Sequence, residues 1–187
     1  MFNIFFNIWL KLKNVFIIIF LLGIFVFISA CNYVSAVSSN ISDNVFRLHV
    51  IANSDSDADQ NLKYIVRDSV IDFVNSSTSG TNSKEELIEA LDLDAIREVA
   101  QNTVLENGFS YPVSVELGYF DFPTKHYGDV SLPAGFYDAL RVKIGNSSGQ
   151  NWWCVMFPPL CFVDVSSGIV PDSSKEILEE NLDSERI

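Results

Sequence analysis

The stretch Gln150–Asp164, QNWWCVMFPPLCFVD, carries the pattern on which the fold turns. From Asn151 to Phe157 it alternates as a strand does, with Trp153, Val155 and Phe157 on one face and Trp152, Cys154 and Met156 on the other. Pro158 and Pro159 end the strand, because neither has an N–H to give to a sheet ladder. Upstream, Gly145–Gly149 reads as a turn. Before it, Phe136–Ile144 alternates again, with Leu140, Val142 and Ile144 inward and Arg141 and Lys143 outward. Two alternating runs joined by a glycine-bearing turn make a hairpin. The Trp153 face is expected to be core. Trp152, Met156, Pro158 and Pro159, with Tyr127 from the loop before the hairpin, are the expected partner-binding residues, since aromatic side chains and Met are enriched at interface centres.

Further upstream, Val113–Phe122 is a half-buried strand with Val113, Val115, Leu117 and Tyr119 inward. Helical periodicity fills 84–107 as one kinked helix or two short ones, with Asp92 or Asp94 available as a cap. Val45–Ile51 is the first strand, placing Phe46, Leu48 and Val50 on one face and Arg47 and His49 on the other. Ser56 and Asp59 then form a capping-box variant. They open a helix whose stripe is Leu62, Ile65, Val66, Val70, Phe73 and Val74. The order is strand, two or three helices, then three strands. It predicts an α+β domain over 45–165, in which a mainly antiparallel sheet of about four strands has its helices packed on one face. An acidic C-terminal tail, 166–187, follows.

The N-terminus supplies a compartment. Lys11 and Lys13 precede an uncharged apolar run of sixteen residues, 15–30, which matches a secretory signal and falls short of the ~20 residues of a comfortable membrane span. Residues 1–31 are therefore expected to be a signal peptide or a signal anchor, and 32–44 a flexible tether. Ile28-Ser29-Ala30-Cys31 resembles a bacterial lipobox, which makes Cys31 a lipidation candidate, and Val34-Ser35-Ala36 offers an ordinary cleavage site. Setting Cys31 aside leaves Cys154 and Cys161, an even pair in a compartment where disulfides persist. A bridge between them is expected, the alternative being two buried thiols, and the intact mass with and without reductant distinguishes the two. The formal net charge of −12 disfavours nucleic acid and anionic lipid as partners.

The chemistry-bearing residues are sparse. Asn53, Asp55, Asp57 and Asp59 echo the start of an EF-hand loop, but Gln60 stands where its glycine belongs and Val66 where its bidentate Glu belongs. Acids at a helix start account for the same residues, so no metal is expected. No nucleophile elbow, zinc-protease helix or phosphate-cradling glycine loop occurs, and Cys154 lies in an aromatic strand where thiols are inert. No catalytic residue, cofactor or small-molecule substrate is expected. The enzymatic alternative is an extracytoplasmic hydrolase using His49 and Asp55; a cell-wall-binding module using the tryptophans is another.

The runs Phe46–Asp55 (FRLHVIANSD), Gln60, Val66-Arg67-Asp68, Phe122-Pro-Thr-Lys125, Tyr127-Gly128, Leu132-Pro-Ala-Gly135, Ala139-Leu-Arg141 and Asn151–Phe162 (NWWCVMFPPLCF) closely resemble the stage II sporulation protein R family. The resemblance covers about 45–164, with Cys31 and His126 outside the pattern. It implies a non-enzymatic intercellular signal of endospore formation, exported into the space between forespore and mother cell. There it would activate a membrane-embedded aspartic protease that cleaves the pro-sigma-E precursor.

Overall fold

The computed structural model describes residues 2–127 and 130–159. The chain divides into two units, 1–39 and 40–187. In the first, helix α1 (Phe2–Asn44) carries an apolar stretch, Leu12–Tyr33, whose 22 residues are enough by length and composition to cross a membrane. The sixteen-residue run understated it because the helix continues past Ala30 through Cys31, Asn32 and Tyr33 without a charge and, at its other end, takes in a single lysine, Lys13. The segment 32–44, expected as a flexible tether, is helical to Asn44; its serines and asparagines are weak helix formers, yet it holds no proline or glycine to stop propagation. The acidic tail 166–187 lies outside the described residues.

The second unit is the expected α+β domain. Its elements run β1 (Phe46–Ile51), α2 (Asp57–Ser77), α3 (Lys84–Ala90), α4 (Leu93–Glu106), β2 (Val113–Phe122), β3 (Lys125–Tyr127), β4 (Val130–Leu132), β5 (Gly135–Ile144) and β6 (Asn151–Phe157). Four strands form one sheet in the order β2-β5-β1-β6. β2–β5 and β1–β6 are antiparallel, whereas β1–β5 is parallel. The sheet is thus mixed rather than uniformly antiparallel, since the chain leaves β1, passes through three helices and β2, and returns beside β1 in β5.

The capping signals behave locally. Ser56 accepts from Asp59 N at 3.2 Å to start α2, and Asp92 accepts from Ala95 N at 3.0 Å to start α4. A cap in mid-run is why 84–107 becomes two helices. The stripe Leu62, Val66, Val70 and Val74 is buried, joined by Ile71, while Ile65 lies on the exposed flank. It packs with Ile96, Ala100 and Val104 of α4 against Leu48, Val50, Leu140, Val142 and Ile144 of the sheet.

The opposite face has a core of its own. Val45, Phe122, Leu132, Tyr137, Ala139 and Val155 cluster there with Tyr127, Val130 and Trp153. The short ribbon β3–β4, in a segment expected to be loop, covers one end of that face. This second layer buries the other face of β1, where Arg47 and His49 are 0% and 6% exposed. Leu117 and Tyr119 were read as inward, yet both are exposed, and the Tyr119 ring stacks on Phe136 at 5.5 Å.

Candidate functional site

Two clusters flank β6, one on each side of the sheet, because adjacent residues of a strand point to opposite faces. On the helix side, Trp152 is half-buried beside α2. Tyr64 meets its ring edge-on at 5.4 Å, and the Arg67 guanidinium lies 4.5 Å from its centroid. Arg67 also pairs with Asp68 at 2.6 Å. The Trp152 Nε1 donor is buried and, among the described residues, has no partner. Cys154 and Met156 point into the same core. Both faces are thus packed: Trp152, Cys154 and Met156 face the helical layer, and Trp153 and Val155, as expected of core residues, face the second core.

Met156 escapes simple alternation. Arg47 pairs with Val155 and Phe46 with Phe157, so Met156 is the extra residue of a bulge. A bulge turns consecutive residues toward one side, which explains why both Met156 and Phe157 join the helix-side core. Of the five expected partner-binding residues, Met156 and Pro158 are buried, Trp152 and Tyr127 half-buried, and Pro159 exposed. They do not share one face, since Tyr127 lies across the sheet from Trp152. The Phe157–Pro158 peptide is cis. Cys154 is buried, Cys161 lies outside the described residues, and Cys31 is an exposed free thiol.

On the helix-free side, Arg47 is enclosed by aromatic rings. Its guanidinium carbon is 4.1 Å from the Phe122 centroid, 4.8 Å from Tyr137 and 6.0 Å from Tyr127. Nη2 donates to Tyr127 Oη at 2.8 Å, and that hydroxyl donates onward to the Trp153 carbonyl at 3.2 Å. Among the described residues, Arg47 Nε and Nη1 have no partner. Ring faces therefore carry most of the compensation for this buried cation.

Two residues along β1, His49 stacks on Trp153 at 3.7 Å and its Nε2 shares a 2.8 Å hydrogen bond with Asn151 Oδ1. Burial pushes the imidazole pKa from 6.5 down to about 4, assisted by Arg141 and Arg47 and opposed by the Asn151 bond and by Glu116. The imidazole is neutral in the fold and would take up a proton near neutrality once unfolded. Its stabilising contribution is complete above about pH 6.5 and falls away as the pH drops toward 4. Between about pH 7.5 and pH 4.5 the domain is expected to lose roughly 2.5 kcal/mol on this account. His49→Gln should flatten that limb of a denaturation series while keeping a bond to Asn151.

The β1–α2 junction holds these faces in register. Asp59 is buried and accepts from Asn53 Nδ2 at 2.9 Å and from Ser54 Oγ. Burial alone would raise its carboxyl pKa; the bonds from Ser54, Asn53, Tyr111 and Ser56 outweigh that and hold it below the usual value. Asp59 thus braces the loop rather than returning to the Ser56 N–H, which goes to Ser54 Oγ instead. Asp55 accepts from the Gln150 N–H at 2.7 Å, and buried Lys63 donates to Gln60 Oε1 at 2.6 Å and to the Gln150 carbonyl at 3.2 Å. His49 and Asp55 are each committed elsewhere, to Asn151 and Gln150, and do not form a dyad. The acids of the calcium-like run are likewise divided between a buried brace and a turn.

Sequence reasoning missed Arg47, Lys63 and the β3–β4 ribbon. The signal for the ribbon was present, because Gly128-Asp129 between Lys125–Tyr127 and Val130–Leu132 has the form of a two-residue hairpin loop.

Fold and site together define a class: an α+β domain with a two-sided core, in a chain whose first unit is an apolar helix of the length of a signal or membrane anchor. The chain belongs to the stage II sporulation protein R family, whose model matches residues 42–167. It is 42% identical over 130 residues to the Stage II sporulation protein R of Bacillus subtilis (strain 168), a match covering 68% of this chain. The chain spans 58% of that relative's length. No solved structure matches. The family assigns the chain a role in sporulation.

Proposed function

We propose that this protein is an exported intercellular signal of endospore formation. It leaves the forespore, acts in the space between the two cells and activates a membrane-embedded aspartic protease, which then cleaves the pro-sigma-E precursor in the mother cell. The observation that carries the reading is the family match over residues 42–167, nearly the whole folded unit. The apolar helix Leu12–Tyr33 is compatible with it as a signal or an anchor, and Cys31 on that helix is the candidate for lipid attachment. The Cys154–Cys161 bridge belongs to the same proposal, because an exported domain meets oxidising conditions. The activator works by binding the protease's external part and favouring its active state.

Trp152, supported by Arg67 and Tyr64, and the exposed Pro159 form the contact surface, as Trp, Tyr and Arg dominate binding hot spots. The test is to co-express the full chain, the protease and the precursor in a host that does not sporulate. Cleavage is expected only when all three are present; cleavage without this chain, or none with it, overturns the proposal. In the same assay Trp152→Ala with Pro159→Ala should lower cleavage about tenfold or more, the scale of losing one hot spot, with the domain still folded by circular dichroism. Undiminished cleavage rejects this surface.

A further inference from the structure

Beyond the β3–β4 ribbon, the sheet face opposite α2 and α4 carries two cations gathered on one acid. The strand registers put Trp153, His49, Arg141 and Glu116 in one row across all four strands, and Asn151, Ile51, Lys143 and Ser114 in the next. Arg141 and Lys143 both converge on a single carboxylate, with Nε at 2.6 Å and Nζ at 2.8 Å from Glu116 Oε1. The Arg141 guanidinium also lies flat over Phe120, 3.8 Å from the ring centroid. Phe120 reaches that position by folding back over Gly118, where a Cβ would come within 2.9 Å of the ring.

Two half-exposed cations are thus fixed against one acid, on a chain whose net charge is −12. Arg141 spends its Nε on Glu116, and a guanidinium's two terminal nitrogens are the pair suited to a carboxylate fork. The imidazole below has its pKa lowered to about 4, so it adds no positive charge near neutral pH. No described helix covers these rows.

We propose that this face is a second docking surface and that it takes an acidic segment of a protein partner, which under the proposed function is the external part of the protease. The argument for the occupant is charge complementarity. An anion repelled by the acidic surface of the chain meets two fixed, partly desolvated donors side by side here. Trp153, stacked on His49, supplies an apolar floor beside them.

The plain structural reading is that Glu116, Arg141 and Lys143 only tie the edge strand β2 to β5. The triple change Glu116→Arg, Arg141→Glu and Lys143→Glu separates the two readings, since it keeps both cross-strand pairings and reverses the sign of the patch. In the co-expression assay this variant should lose at least tenfold in precursor cleavage while its melting temperature stays near that of the parent. One acidic-to-basic change in the protease's exposed segments should restore cleavage. Full cleavage by the triple variant, with the parent active, overturns the docking surface and leaves the activator reading standing; an inactive parent overturns that reading instead. Loss that no change in the protease restores overturns the protein occupant in favour of a membrane surface.

Discussion

Arg47→Ala is expected to lower the unfolding free energy by about 4 kcal/mol, whereas Arg47→Met should cost less than about 1.5 kcal/mol. The guanidinium is fully buried among Phe122, Tyr137 and Tyr127 and donates its one hydrogen bond to Tyr127. Alanine removes the stem and head together, leaving a cavity between the sheet and the β3–β4 ribbon. It also strips the Tyr127 hydroxyl of its donor. Methionine fills most of that volume and dispenses with desolvating a cation that, among the described residues, has no ion-pair partner and two unpartnered nitrogens. Replacing a buried charge by a hydrophobe of like size is often neutral or stabilising. Urea denaturation of the three proteins at pH 7.5 measures both differences. If Met proves as costly as Ala, ring-face attraction to the cation outweighs its desolvation, and the buried charge is itself a net source of stability.

Alternation in Asn151–Phe157 made the opposition of Trp152 and Trp153 legible, but it is symmetric and does not say which side the helices take. The described residues form a core on each side of the sheet, because Val45, Phe122, Leu132 and Tyr137 build a second layer under a ribbon whose strands are only three residues long. Three residues give a period-2 pattern too little length to register. Tyr127 of that ribbon helps to enclose Arg47. Local signals fared better: the Ser56 cap, the Asp92 cap and the Leu62–Val66–Val70–Val74 stripe need only neighbours within a turn or two. The bulge at Met156 depends on strand pairing at long range, so the inward turn of Met156 was beyond the segment's own pattern.

Gly149→Ala should be the other severe substitution, at about 3 kcal/mol, which in a domain of this size is a fall of roughly 10 °C in melting temperature. The reason is proximity rather than an unusual backbone angle. The β5–β6 turn is laid directly on the β1–α2 loop, with Gly149 N donating to the Ala52 carbonyl at 3.0 Å and Ser148 N to the Asn53 carbonyl at 3.2 Å. A Cβ at Gly149 would fall inside the Ser54 carbonyl group and meet Ala52 Cβ at 3.0 Å. Relief requires moving backbone, and that backbone carries Asp55, which holds the Gln150 N–H, and Ser54, which braces Asp59. Gly80→Ala is the control. Gly80 has a φ of 99° but nothing within 4 Å of its added Cβ, so only backbone strain, about 1 kcal/mol, is lost. Because β6 starts two residues after Gly149, the alanine should also shift Trp152 and Trp153 relative to α2 and β1. A changed tryptophan emission spectrum in the folded Gly149→Ala protein, with the Gly80→Ala spectrum unchanged, is the expected signature. Equal melting temperatures for the two variants would mean that the turn yields without disturbing the loop beneath it.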